Sequence, residues 1–225
     1  DLGAEISSPT GCPPVTIVAN GLPGGTADLA GDTSSQYLSA LLMAAPCAAG
    51  PVTLRIDGPL VSRPYVDMTC ALMSRFGADV TESPVGTFSI SPSGFDATEL
   101  EIEPDASAAS YFLAAAAVTG GRVTVEGLSR DALQGDVAFV DCLARMGCSV
   151  QETQQGLCVE GGKLVGIDVD MNPISDTAQT LAVVAAFARG PTRIRGIAHA
   201  RRKETDRVSA MVAELGRLGL DHRVQ

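Results

Sequence analysis

The sequence predicts an α/β fold assembled from a repeated unit of about 70 residues, with helices inside and sheets outside. Three observations predict it. First, Ser34–Gly58, Ala109–Gly127 and Ala178–Gly196 share one pattern: an Ala-rich apolar helix, a glycine, then a short alternating strand. Their marker glycines, Gly50, Gly121 and Gly190, stand 71 and 69 residues apart. Second, an Arg-x-Gly element recurs at the same period, starting at Arg75, Arg145 and Arg217, 70 and 72 residues apart. Third, the first helix of each repeat is almost wholly apolar. Leu113 to Val118 carries no polar residue, and a helix apolar all round is expected to be buried on every side.

Within each repeat the second helix is amphipathic, and the pattern places these helices at Tyr65–Phe76, Asp136–Met146 and Thr205–Leu218. Each ends on the recurring element: Met73–Val80, Leu143–Val150 and Leu215–His222. Its glycine, two residues after the arginine, is a natural helix stop because it adopts φ > 0 without strain. Strand-like alternation follows, as at Ala78–Thr81. The unit therefore reads helix, strand, helix, strand, strand. That period is too long for an ordinary solenoid repeat, so a compact arrangement of several units is expected.

Composition narrows the function. Of 225 residues, 45% are hydrophobic and 19% charged, as in a packed globular protein. No apolar run reaches the roughly 18 residues of a membrane span; the most apolar stretch, Ala40 to Ala49, is too short. A net charge of −10 argues against general nucleic-acid binding. Six cysteines without a CxxC pair, and two histidines, argue against a zinc site and for buried, reduced thiols. Yet seven of the 16 Lys and Arg residues lie between Arg189 and Arg207. Such a local cluster in an acidic chain fits either a pocket for a small anion or a solvated basic helix end.

Two further features bear on chemistry. The first helices begin with polar clusters, Asp32-Thr33-Ser34-Ser35, Asp105-Ala106-Ser107 and Ser175-Asp176-Thr177. These are good N-caps, and three buried helix N-termini would also suit one anion if they converged. Lys203-Glu204-Thr205-Asp206-Arg207 reads either as the first turn of a helix, with Lys203 and Arg207 on one face at i, i+4, or as two cations beside a carboxylate in an acid/base site.

Six segments then carry a resemblance in order and spacing: Gly31–Pro46, Leu60–Thr69, Glu103–Ala117, Leu133–Phe139, Asp170–Thr180 and Arg201–Arg207. Together they resemble the 5-enolpyruvylshikimate-3-phosphate synthase family, essentially end to end. The resemblance implies an inside-out α/β barrel of repeated βαβαββ units, present in part. Residues 1–103 would be the later part of one domain and 104–225 the earlier part of the second, with the hinge near Glu103–Asp105. It implies transfer of the enolpyruvyl group of phosphoenolpyruvate to the 5-hydroxyl of shikimate 3-phosphate, with release of phosphate. No metal or organic cofactor is implied. Partners would be those two small molecules, with no nucleic acid and no membrane, and the full-length form would be a cytoplasmic monomer. By the same carry-over, Ser34, Ser35, Gln36, Ser62 and Tyr65 hold shikimate 3-phosphate, and Asp176 bonds its hydroxyls and helps take the 5-hydroxyl proton. Lys203 contacts shikimate 3-phosphate, Glu204 moves protons at the methylene carbon, and Arg207 holds phosphoenolpyruvate. His199 stands where many family members have Asn; it would still donate to a phosphate or hydroxyl, with a pH-dependent charge. The family's early lysine, its Gly-Asn-Ala-Gly segment, its Gln-Arg-Pro arginine, its late Asp-x-Arg and its final lysine are absent, so the chain alone is expected to be inactive. Outside that reading stand a non-catalytic α/β anion-binding module and a related enolpyruvyl transferase acting on another substrate.

Overall fold

Helices and strands pack together within each unit, and the computed structural model describes residues 2–221 and 223. The chain divides into two compact units, Asp1–Leu100 and Glu101–Gln225, joined within a stretch from residue 93 to 105 that has neither helix nor strand. The last repeat's His222 lies outside the described residues.

The first unit opens with an exposed antiparallel hairpin, β1 (Glu5–Ser7) and β2 (Thr16–Val18). Then come β3 (Gly25–Ala30), α1 (Ser35–Ala44), β4 (Val52–Asp57), α2 (Arg63–Arg75), β5 (Val80–Ser83) and β6 (Thr87–Ile90). The sheet order is β3-β4-β6-β5; β3 and β4 run parallel and the β5–β6 hairpin returns antiparallel. Alternation along β4 buries Val52 and Leu54, which pack with Leu38 and Leu42 of α1, Val66 and Met73 of α2, and Phe88 and Ile90 of β6. The helical spacings i, i+4 and i, i+7 place those apolar residues on one stripe per helix.

The second unit holds α3 (Ala106–Thr119), β7 (Arg122–Glu126), α4 (Phe139–Arg145), β8 (Ser149–Thr153) and β9 (Gly156–Glu160). It continues with β10 (Asp168–Asp170), α5 (Ala178–Ala185), β11 (Arg193–Arg195) and α6 (Arg207–Arg217). The sheet order β7-β9-β8 is antiparallel, and β10 pairs parallel with β11. β7 alternates strictly: Arg122, Thr124 and Glu126 face solvent, while Val123 and Val125 pack on the core of α3, α4 and α5.

The helix stops follow the expected chemistry. Gly77, Gly147 and Gly219 all sit at positive φ, 76°, 108° and 76°. Other expectations give way. α3 is not buried on every side: Tyr111 and Phe112 are 66% and 64% exposed. Its buried face, Ala106, Ala109, Leu113, Ala114, Ala116 and Ala117, meets the core. α4 is shorter than the amphipathic pattern because residues 135–138 wind as a 3-10 turn. The cysteines divide as well. Cys142, Cys148 and Cys158 are buried, Cys70 is half-buried, and Cys12 and Cys47 are exposed. Cys47 ends a 3-10 turn that contains Pro46 and so leaves the apolar face of α1.

Candidate active site

In both units the polar segments of interest follow parallel strands, at the carboxyl ends where open α/β sheets gather ligands. In the first unit, β3 leads to Ser34, Ser35 and Gln36 at the start of α1, and β4 leads to Ser62 and Tyr65 at the start of α2. The two connections are tied together by Val61 N–H donating to the Gly31 carbonyl at 3.0 Å. The helices are tied by the Ser39 and Thr69 hydroxyls, 3.0 Å apart. Ser34 caps α1 by accepting from Gln36 N at 3.2 Å. A hydroxyl that accepts still has its own proton to donate, so capping leaves Ser34 able to hold a phosphate oxygen. Ser35 is buried and Gln36 exposed. Ser62 is 2% exposed and takes φ 54°, the sole non-glycine residue at positive φ among the described residues. That conformation costs an L-residue on the order of 1 kcal/mol and clusters at ligand sites.

In the second unit, β10 leads through a 3-10 turn, Ser175–Thr177, into α5, and β11 leads through another, Ala198–Arg202, to the Lys203–Asp206 loop. Here the third repeat departs from the other two. Asp105 caps α3 by accepting from Ala108 N at 3.0 Å. Asp176 instead points its carboxylate at the loop after β11: Lys203 Nζ and Arg207 Nη1 both donate to Asp176 Oδ1, the latter at 2.8 Å. The Lys203, Arg207 and Asp176 side chains are 14%, 19% and 32% exposed. Burial pushes the Asp176 carboxyl up, but the hydrogen bonds and charges of Lys203 and Arg207 outweigh it and hold the group below the usual carboxylate range.

Glu204 completes the cluster with a two-pronged pair: Arg207 Nε donates to Oε1 at 2.7 Å and Nη2 to Oε2 at 2.8 Å. The Arg207 hydrogen bond is the first cause holding the Glu204 carboxyl below its ordinary value. His199 is 6% exposed beside this cluster. Burial, then the Lys203 charge, push its imidazole below the ordinary histidine value against the pull of Asp176, so it is neutral at neutral pH.

One expectation is corrected by this geometry. Lys203 and Arg207 do not share a helix face, because α6 begins only at Arg207, where Asp206 caps it by accepting from Ser209 N at 2.9 Å. Within the basic stretch, Arg195 pairs with Asp168 at 2.6 Å and Arg201 with Asp206 at 2.8 Å, while Lys203 and Arg207 meet at Asp176. Sequence reasoning passed over the buried polar support behind α3. Asp136, 1% exposed, accepts from Ser107 Oγ at 2.6 Å, and Ser110 and Thr180 place their hydroxyls 3.2 Å apart between α3 and α5. The signal available was the polar pair Gln134 and Asp136 within the short segment Leu133–Phe139. Among the described residues no group of three or more His, Cys, Asp or Glu is placed to hold a metal ion, and no helix is long and apolar enough to cross a membrane.

Known proteins share the sequence and the fold. The chain is 48% identical over 222 residues to a 3-phosphoshikimate 1-carboxyvinyltransferase of Shewanella piezotolerans, covering 97% of this chain and 52% of that protein. It is 47% identical over 216 residues to the protein of the same description from a Marinomonas species, covering 93% and 50%. The chain thus spans about half the length of the curated relatives it matches. Among solved structures, EPSP synthase from Acinetobacter baumannii superposes with a TM-score of 0.73 at 28% identity, over 98% of this chain and 52% of that one. The enolpyruvyl transferase NikO from Streptomyces tendae, at 22% identity and a TM-score of 0.66, shares the fold, over 86% of this chain and 48% of its own. With the family model of EPSP synthase (3-phosphoshikimate 1-carboxyvinyltransferase) matching residues 1–225, the chain belongs to the EPSP synthase family.

Proposed function

We propose that this chain supplies the shikimate 3-phosphate seat and the proton-transfer cluster of an enzyme that joins phosphoenolpyruvate to the 5-hydroxyl of shikimate 3-phosphate. The observation that carries the reading is the convergence of Lys203 and Arg207 on an ionised Asp176 at the carboxyl ends of β10 and β11. Two partly shielded cations suit two anionic substrates. Ser34, Ser35, Gln36, Ser62 and Tyr65 hold the phosphate and ring of shikimate 3-phosphate. Asp176 accepts from the 5-hydroxyl and helps take its proton as the oxygen adds to the enol carbon. Glu204 delivers a proton to the methylene carbon in addition and removes one when phosphate leaves. Lys203 and the neutral His199 donate to shikimate 3-phosphate, and Arg207 holds the phosphoenolpyruvate carboxylate and phosphate. No metal or organic cofactor enters this scheme, and the full-length protein acts as a cytoplasmic monomer of two domains that meet at residues 103 and 104.

The test is complementation. The chain alone, given both substrates, releases phosphate at the background rate. Adding in trans the segments of a 3-phosphoshikimate 1-carboxyvinyltransferase that flank the matched region restores phosphate release. Turnover by the chain alone overturns the expected dependence on the flanking segments, and restored activity on a UDP-sugar in place of shikimate 3-phosphate overturns the substrate assignment.

A further inference from the structure

Arg207 has little left to offer a ligand in this structure. A guanidinium grips a carboxylate or phosphate best through two parallel N–H groups on one edge. The Nε/Nη2 edge is taken by both oxygens of Glu204, at 2.7 and 2.8 Å, and Nη1 donates to Asp176 at 2.8 Å. A two-pronged anion therefore reaches that edge by displacing a carboxylate already there. The two carboxylates are not equally held. Asp176 is also bonded by Lys203 and is two-thirds buried, whereas the Glu204 side chain is 63% exposed and sits three residues from its partner on a loop. An exposed ion pair contributes little, so Glu204 is the group that yields.

We propose that Glu204 is the internal occupant of the Arg207 anion seat, and that a carboxylate or phosphate ligand displaces it, coupling anion binding to proton uptake by Glu204. The proposal rests on the reading of Arg207 as an anion-holding residue. Displacement removes the cation that both carboxylate oxygens touch and brings a negative charge beside them. Both changes favour the protonated acid. The other charged groups around the pair are Lys203 and Asp176, which stay bonded to each other, and Arg201 and Asp206, which pair on the same loop; His199 is neutral there at neutral pH. The proton comes from solvent and ends on a Glu204 oxygen. Binding and protonation then reinforce each other, so anion affinity rises as pH falls toward the Glu204 midpoint. The acid required at the methylene carbon is thereby loaded by the arrival of the substrate that consumes it.

Carboxyl-carbon NMR of the 225-residue chain labelled in its glutamates tests this, with sulfate as an anion that does not itself titrate. The Glu204 resonance is assigned by its loss in Glu204→Gln, and Arg207 Nε–H reports occupancy. In sodium chloride the Glu204 midpoint lies below that of an ordinary glutamate. In sodium sulfate of matched ionic strength it rises by about half a unit or more. Glu204→Gln, which keeps the shape and weakens the internal competitor, binds sulfate severalfold more tightly at pH 7. If sulfate moves Arg207 but leaves the Glu204 midpoint unchanged, the coupling is wrong and the anion seat stands. If sulfate leaves Arg207 unmoved, the anion seat and the coupling both fail.

Discussion

Asp176 is the residue on which the second unit's polar cluster turns. One oxygen accepts from both Lys203 and Arg207. Because burial opposes the charge and the two cations more than offset it, the folded carboxyl titrates below its unfolded value. A depressed carboxylate contributes stability that is fully present above the unfolded midpoint, about 3.9 for aspartate, and is lost as pH falls through the folded one. Asp176→Asn is therefore expected to lower unfolding free energy at pH 7 and to flatten its decline below about pH 4. Urea unfolding at both pH values reads the difference. Asp105, Glu204 and Asp206 are also held low and contribute to the slope in both proteins, so the comparison isolates Asp176; identical slopes would remove its ion pairs from the account. Local pattern marked Lys203, Glu204 and Arg207 by their density but Asp176 only as a cap, and it was the family resemblance that gave Asp176 a role in the site. Helical spacing is a local rule, whereas the pairing of Asp176 with Lys203 spans 27 residues and depends on two loops leaving neighbouring parallel strands.

The elements were most legible where a backbone requirement selects a residue type. The three Arg-x-Gly helix ends all place glycine at positive φ. Starts were less legible, since the pattern opened the last helix at Thr205, whereas the bond from Ser209 N to Asp206 makes Asp206 the cap and α6 begins at Arg207. The same glycine chemistry has different surroundings in each repeat, which gives a graded prediction. At Gly219 an added Cβ meets nothing within 4 Å, so Gly219→Ala costs the conformational term alone, about 1 kcal/mol. At Gly147, φ is 108° and the Cβ would stand 2.6 Å from the Lys163 carbonyl oxygen, a backbone atom that cannot swing away. Gly147→Ala is expected to cost roughly 3 kcal/mol, the overlap adding to the conformational term. Chemical denaturation of the two variants checks the order. Equal losses would mean that the α4–β8 connection relaxes freely around the new methyl group.

For the whole molecule, the repeat was the feature most readable in advance and the surroundings of its helices the least. An apolar helix was expected to be enclosed. Yet Tyr111 and Phe112 on α3, Val183 on α5 and Phe187 just beyond it are 66%, 64%, 46% and 59% exposed, although α3 and α5 otherwise lie in the core of their unit. Periodicity shows that a helix has apolar faces, but not how many of them a given length of chain can cover, and this chain spans about half the length of its relatives. Three aromatic rings and a β-branched residue left in water retain a drive toward burial of roughly 1–2 kcal/mol each when an apolar surface becomes available. The isolated chain is therefore expected to self-associate. In sedimentation velocity its apparent mass should rise above 23.1 kDa with concentration, and Phe112→Gln combined with Phe187→Gln should hold it closer to that value. Both substitutions lie on exposed positions away from the Asp176 cluster, so they are expected to leave urea stability within about 0.5 kcal/mol of the parent. A parent chain that keeps its monomer mass across the same concentrations would show that these side chains do not act as an apolar contact surface.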